Sequence, residues 1–133
     1  MASSKTEDTR PVYSIEVSVA SEYLPLESDA ATERFVFSYT VTLRNTGTVT
    51  ARLLSRHWYI TDGEGHVQEV RGEGVVGERP VLEPGGTYTY TSGAMLETPV
   101  GSMRGSYQMV AEDGTHFEAE IPVFTLAVRS QLH

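Results

Sequence analysis

The sequence predicts an all-β domain, a two-sheet antiparallel sandwich, and three observations predict it. Apolar residues recur with period two. Clusters of turn-forming residues separate the apolar runs. No window keeps apolar residues at i, i+3, i+4 and i+7 without Gly, Pro or a β-branched run intervening. Seven or eight short strands with regular turn signals fit a sandwich in a chain of 133 residues.

The elements follow in order. Met1 to Arg10 is polar, and residues 1–10 are expected to form a loose tail before one domain over residues 11–133. Ile15, Val17 and Val19 alternate with Ser14, Glu16 and Ser18. Phe35, Phe37, Tyr39, Val41 and Leu43 give the longest alternation. Tyr88 and Tyr90 stand between Thr87, Thr89 and Thr91. Tyr107, Met109 and Ala111 repeat the pattern, as do Phe117, Ala119 and Ile121. Each run reads as a half-buried strand, with one face on a core and one in water. Asn45-Thr46-Gly47, Asp62-Gly63-Glu64-Gly65, Pro84-Gly85-Gly86 and Glu112-Asp113-Gly114 supply the turns. The last strand changes parity between Ile121 and Phe124, with Pro122 between them. Proline cannot donate to a ladder, so a bulge or sheet switch is expected there. Phe35, Phe37, Trp58, Tyr107 and Phe117 are expected in one core.

Bulk properties narrow the function. There is no Cys, which excludes disulfides, thiolate zinc sites and Cys nucleophiles. Absence of Cys fits a reducing cytoplasm. The net charge of −8 argues against a nucleic-acid partner, because phosphate backbones need clustered Lys and Arg. No secretory signal or apolar run of membrane-spanning length occurs, so no membrane insertion is expected. The expected location is cytoplasmic.

A set of segments in order resembles the ApaG family. They include Leu43 to Gly47, Ser55 to Asp62, Gly72 to Gly77, Leu82 to Tyr90, Thr98 to Tyr107 and Ile121 to Leu126. The likeness runs from about Tyr13 to about Val128. It implies an immunoglobulin/fibronectin type III-like sandwich and a bacterial origin. It also implies a family link to cobalt resistance and magnesium efflux. Family genes neighbour a diadenosine tetraphosphate hydrolase and a ribosomal RNA adenine methyltransferase. In eukaryotic proteins the similar domain looks like a protein-binding module.

Four sets of residues are candidates for chemistry. Gly72, Gly74 and Gly77 spell G-x-G-x-x-G. A dinucleotide site needs a helix N-terminus after that motif, and Glu78-Arg79-Pro80 opens none. What remains is an anion nest of backbone N–H groups, helped by Arg71 and Arg79 and opposed by Glu73 and Glu78. The other reading is a plain structural loop. For metal, a four-residue turn pairing Thr61 with His66 puts His57 and His66 on one face but about 13 Å apart, too far to share an ion. Asp113 and His116 flank a second turn within reach of each other, yet two ligands do not make a site. For catalysis, Ser55, His57 and Asp62 are close in sequence, but no nucleophile elbow or H-E-x-x-H motif is present. No catalytic residue, metal site or cofactor is expected. Finally, Trp58 shares a face with Leu54 and Ile60, with Arg56 at its wet end. That turns His57 and Tyr59 outward, where they are available to a partner.

The expected function is therefore a non-enzymatic binding module for a protein partner. The alternative is a phosphate or nucleotide binder using the Gly72–Gly77 loop. Edge strands offer a route to homo-oligomers.

Overall fold

The computed structural model describes residues 9–128. Residues 1–8 of the expected tail lie outside the described part. Eight strands run β1 (Ile15–Tyr23), β2 (Phe35–Asn45), β3 (Ala51–Asp62), β4 (Val67–Glu73), β5 (Val81–Leu82), β6 (Thr87–Leu96), β7 (Val100–Ala111) and β8 (His116–Ala127). The described helical structure is two single 3₁₀ turns, Pro25–Glu27 and Ala30–Thr32, between β1 and β2.

The strands form two antiparallel sheets. One has the order β1-β2-β6. The other has the order β4-β3-β7-β8, with β5 continuing the β4 side against the start of β3. The predicted alternation is what builds the core between them. Phe37, Val41 and Leu43 of β2 and Tyr107 and Met109 of β7 are fully buried. Complete burial of side chains this large stabilises by roughly 1.5–3 kcal/mol each. Trp58 stands at the centre, with its ring edge-on to Tyr39 at 5.3 Å, Phe124 at 5.9 Å and Tyr107 at 6.3 Å. Among the described residues its Nε1–H meets no acceptor. Four of the five predicted core aromatics are buried. Phe117 is the exception: it is half-buried at the rim, with Tyr13 packed on it at 5.6 Å.

Pro122 sits where the sequence places an irregularity. Met103 pairs with Phe124 but Gly105 pairs with Ile121, so Pro122 and Val123 together face Arg104. This bulge moves the buried set of β8 from Ala119 and Ile121 to Leu126. A second bulge, at Leu54, was not legible. Leu53 pairs with Met109 and Ser55 with Gln108, so Leu54 is the extra residue. Ala51 and Leu53 therefore face the core on one side of the bulge and Trp58 on the other.

Asn45 is the one buried polar residue among those described. Its Nδ2 donates to the carbonyls of Val49 and Leu82, both at 2.9 Å, and its Oδ1 accepts from Gly47 N at 2.9 Å. A turn residue by sequence thus also ties the β2–β3 connection to β5.

Candidate functional site

The Gly72–Gly77 segment runs from the end of β4 into a tight hairpin. Val75 and Glu78 exchange both backbone hydrogen bonds at 2.8 Å around Val76-Gly77. Both central residues have positive φ, 42° and 82°, the pattern of a type I′ turn. Each glycine has its own reason. A Cβ on Gly72 would lie 2.5–2.8 Å from the Arg56 guanidinium, which crosses that position. Arg56 Nη1 then donates to the carbonyls of Glu73 at 3.0 Å and Gly74 at 2.8 Å. Gly74 has φ +62°, and a Cβ there would meet Glu78 O at 2.4 Å. Gly77 has φ +82° with open space around it.

An anion nest needs free N–H groups, and this loop uses three of its own. Gly74 N donates to Leu54 O, Val75 N to Glu78 O and Glu78 N to Val75 O, all at 2.8 Å. The flanking cations are also engaged. Arg79 pairs with Glu73, and Arg71 pairs with Glu69 at 2.9 Å. The loop lies beside a depression of about 480 Å³ lined by Ser55, Arg56, His57, Arg71, Gln108 and Glu118, among others.

The outer face of the five-stranded sheet is open, and it is built in rows by register. Tyr59 stands between Glu69 of β4 and Arg104 of β7. His57 stands between Arg71 and Ser106, and Ser106 pairs with Glu120 of β8. His57 stacks against Tyr59 with ring centres 4.6 Å apart. His57 Nε2 bonds Glu69 Oε2 at 2.5 Å. The Arg104 Cζ sits 4.2 Å over the Tyr59 ring, an arrangement worth about 0.5–1 kcal/mol when exposed. Hydrogen bonds from Arg71, then from His57, hold the Glu69 carboxyl below its ordinary range. The result is an aromatic pair fixed from both sides, beside a second depression of about 540 Å³. Glu118 and Glu120 line that depression.

Comparison with known proteins decides the family. Residues 25–111 match the family model described as the ApaG domain. The chain belongs to the ApaG family. A Protein ApaG of Nitrosospira multiformis is 64% identical over 121 residues, covering 91% of this chain and 95% of that protein. The Protein ApaG of Thiobacillus denitrificans is 60% identical over the same coverage of both chains. The crystal structure of a Bordetella pertussis protein designated ApaA has a TM-score of 0.86 and 52% identity, covering 90% of this chain and 97% of that one. The ApaG fold is thus an all-β sandwich.

Two expected juxtapositions are corrected. Thr61 pairs with Val67, not His66, because the turn closes on three residues: Asp62 N donates to His66 O at 3.0 Å. The shift of one residue puts His57 and His66 on opposite faces. Asp113 meets Tyr13 rather than His116: its Oδ2 accepts from the Tyr13 hydroxyl at 2.6 Å and its Oδ1 from Thr115 N at 3.0 Å. Among the described residues no three or more of His, Asp and Glu converge on one point. Ser55 Oγ bonds Gln108 Oε1 at 2.8 Å, and Asp62 caps its own turn through Glu64 N and His66 N. Ser55, His57 and Asp62 therefore each have a different partner.

Arg104 and Glu69 were missed by sequence reasoning. Arg104 reaches Tyr59 only through β3–β7 pairing, 45 positions apart by the register Tyr59↔Arg104. Local spacing carries no trace of that. Glu69 was within reach of the sequence, since the correct three-residue turn places it opposite Tyr59.

Proposed function

We propose that this ApaG-family chain is a non-enzymatic interaction module that engages a protein partner through the outer face of the β4-β3-β7-β8 sheet. One observation carries the reading: the His57–Tyr59 pair is immobilised on an open face by Glu69 and Arg104. Aromatic and Arg side chains held rigid lose little rotamer freedom when a partner covers them, so they suit the centre of an interface. Glu118 and Glu120 have no partner of their own among the described residues. They give the adjoining surface a negative field suited to a basic rim on the partner. The family link to cobalt resistance and magnesium efflux then acts through the partner, not through metal held by this chain. The module is proposed to work in the cytoplasm.

The test is capture of partners from the source cells by tagged parent protein and by Tyr59→Ala/Arg104→Ala, followed by reconstitution with the purified partner. The partner should bind the parent and lose at least about tenfold in affinity to the double variant, a change of about 1.4 kcal/mol. Equal binding by a folded double variant rejects this face.

The second reading keeps a phosphate or nucleotide ligand at Gly72, Gly74, Gly77, Arg71 and Arg79. The depression beside the loop, with Arg56, His57 and Arg71 in its lining, favours it. The internal bonds of Gly74 N and Val75 N, and the carboxylates on Arg71 and Arg79, weigh against it.

A further inference from the structure

The two sides of the sandwich differ. On one side the sheets meet, with Ser21 Oγ of β1 donating to Thr125 O of β8 at 2.9 Å. On the other side both sheets end in edges, β6 and the β4–β5 pair. An edge strand turns alternate N–H and C=O groups outward, and proteins guard such edges with charge, Pro, bulges or shortness. β8 carries Glu118, Glu120, Pro122 and a bulge. β4 carries Glu69, Arg71 and Glu73, and β5 is two residues long. β1 carries Glu16 and Glu22.

β6 has none of these devices. Its ten residues, TYTYTSGAML, include no charge and no Pro, and its pairing with β2 runs without a register shift. On the outer face, Thr91 and Thr89 already make hydroxyl hydrogen bonds across the β2 boundary, to Thr40 at 2.8 Å and Thr42 at 3.2 Å. The same row would meet itself across a twofold axis.

We propose that a second copy of this chain pairs antiparallel along β6, joining two three-stranded sheets into one of six strands. The occupant follows from charge. At −8 per chain, two copies repel in general. Strand pairing brings backbones to about 4.8 Å, so the pair can close only along an edge without charge. A twofold contact must also be self-complementary. Threonine opposite threonine satisfies this through cross-strand hydroxyl bonds, whereas β4 would set carboxylates near carboxylates. This surface is separate from the proposed partner face, and the two proposals stand or fall apart.

The test is sedimentation equilibrium of the full chain over a wide concentration range, with Thr89→Lys/Thr91→Lys as the variant. Both threonines are exposed, so the variant should fold, and its melting temperature checks that. The parent should sediment at twice the 14.6 kDa chain mass, and the variant at the single mass. The two lysines reduce the overall negative charge. General repulsion therefore predicts tighter association of the variant, and edge pairing predicts its loss. Hydrogen exchange supplies the second readout: alternate β6 amides should be protected in the parent and exchange faster in the variant. A monomeric parent at every concentration overturns the proposal and leaves β6 to a different protein. A dimer that survives both lysines, or one with β6 amides unprotected, overturns it as well.

Discussion

The Arg56 guanidinium lies across Gly72, in the space a side chain would fill, and caps the carbonyls of Glu73 at the end of β4 and of Gly74 just beyond it. Arg56 comes from the core face of β3, beside Trp58. Gly72→Ala should displace it. The loss of charge-assisted bonds should cost about 1.5–3 kcal/mol. In an Arg56→Met background the same Gly72→Ala change should cost far less. Denaturant melts of the four-protein cycle measure the coupling, and additive costs would separate the two residues.

The hairpin tip offers a stabilising change. Val76 is β-branched at φ 42°, a region that suits Asn or Gly. Val76→Asn places the favoured pair in the type I′ turn and should raise stability by about 0.5–1 kcal/mol. Gly77→Ala should lower it by about 1 kcal/mol. Gly74→Ala should cost more, because its Cβ also meets Glu78 O. Thermal melts rank the three. Pyrophosphate should leave every melting temperature unchanged. Ligand at one hundred times its dissociation constant would stabilise by about 2.7 kcal/mol, so a salt-screened shift lost in Gly74→Ala would revive the nest.

The core holds a hydroxyl pair. Tyr90 and Tyr107 are buried and hydrogen-bonded to each other. Burial above all pushes both phenols well above their ordinary pKa. Tyr107→Phe should cost about 1–3 kcal/mol, because the Tyr90 hydroxyl loses its buried partner. Adding Tyr90→Phe should recover part of that loss. A double variant weaker than both singles would contradict this.

Acid and base act on opposite ends of one contact, Tyr13–Asp113. The Tyr13 hydroxyl, then Thr115 N, hold the Asp113 carboxyl below its ordinary value, and the same bond raises Tyr13. For Asp113 the stabilisation is complete above the unfolded carboxylate pKa of about 3.9. It is lost as pH falls through the lower folded value. For Tyr13 it is complete below about 10 and lost as pH rises through the higher folded value. Asp113→Asn should flatten both limbs of a stability–pH profile, whereas Tyr13→Phe should flatten the alkaline limb and only part of the acid limb, because Thr115 N still bonds Asp113.

Much of the sandwich was legible because strand periodicity and turn chemistry are local. Pro122 announced its bulge by removing a donor and changing parity. Leu54 gave no such sign: its bulge sits inside an unbroken run, and only pairing with Met109 and Gln108 exposes it. The outward turn of His57 and Tyr59 was readable from Trp58, since opposite parity means opposite faces. Their fixation by Arg104 was not, because it arises from a strand far along the chain. The glycine motif spells a dinucleotide site without the helix such a site needs, and its three glycines accommodate a crossing arginine and two positive-φ positions.

The most direct test of the outer-face reading is a nuclear magnetic resonance titration of labelled chain with its reconstituted partner. Resonances of His57, Tyr59, Arg104 and Ser106 should move together and saturate together. Perturbation confined to the Gly72–Gly77 segment, or to the opposite sheet, would contradict the account.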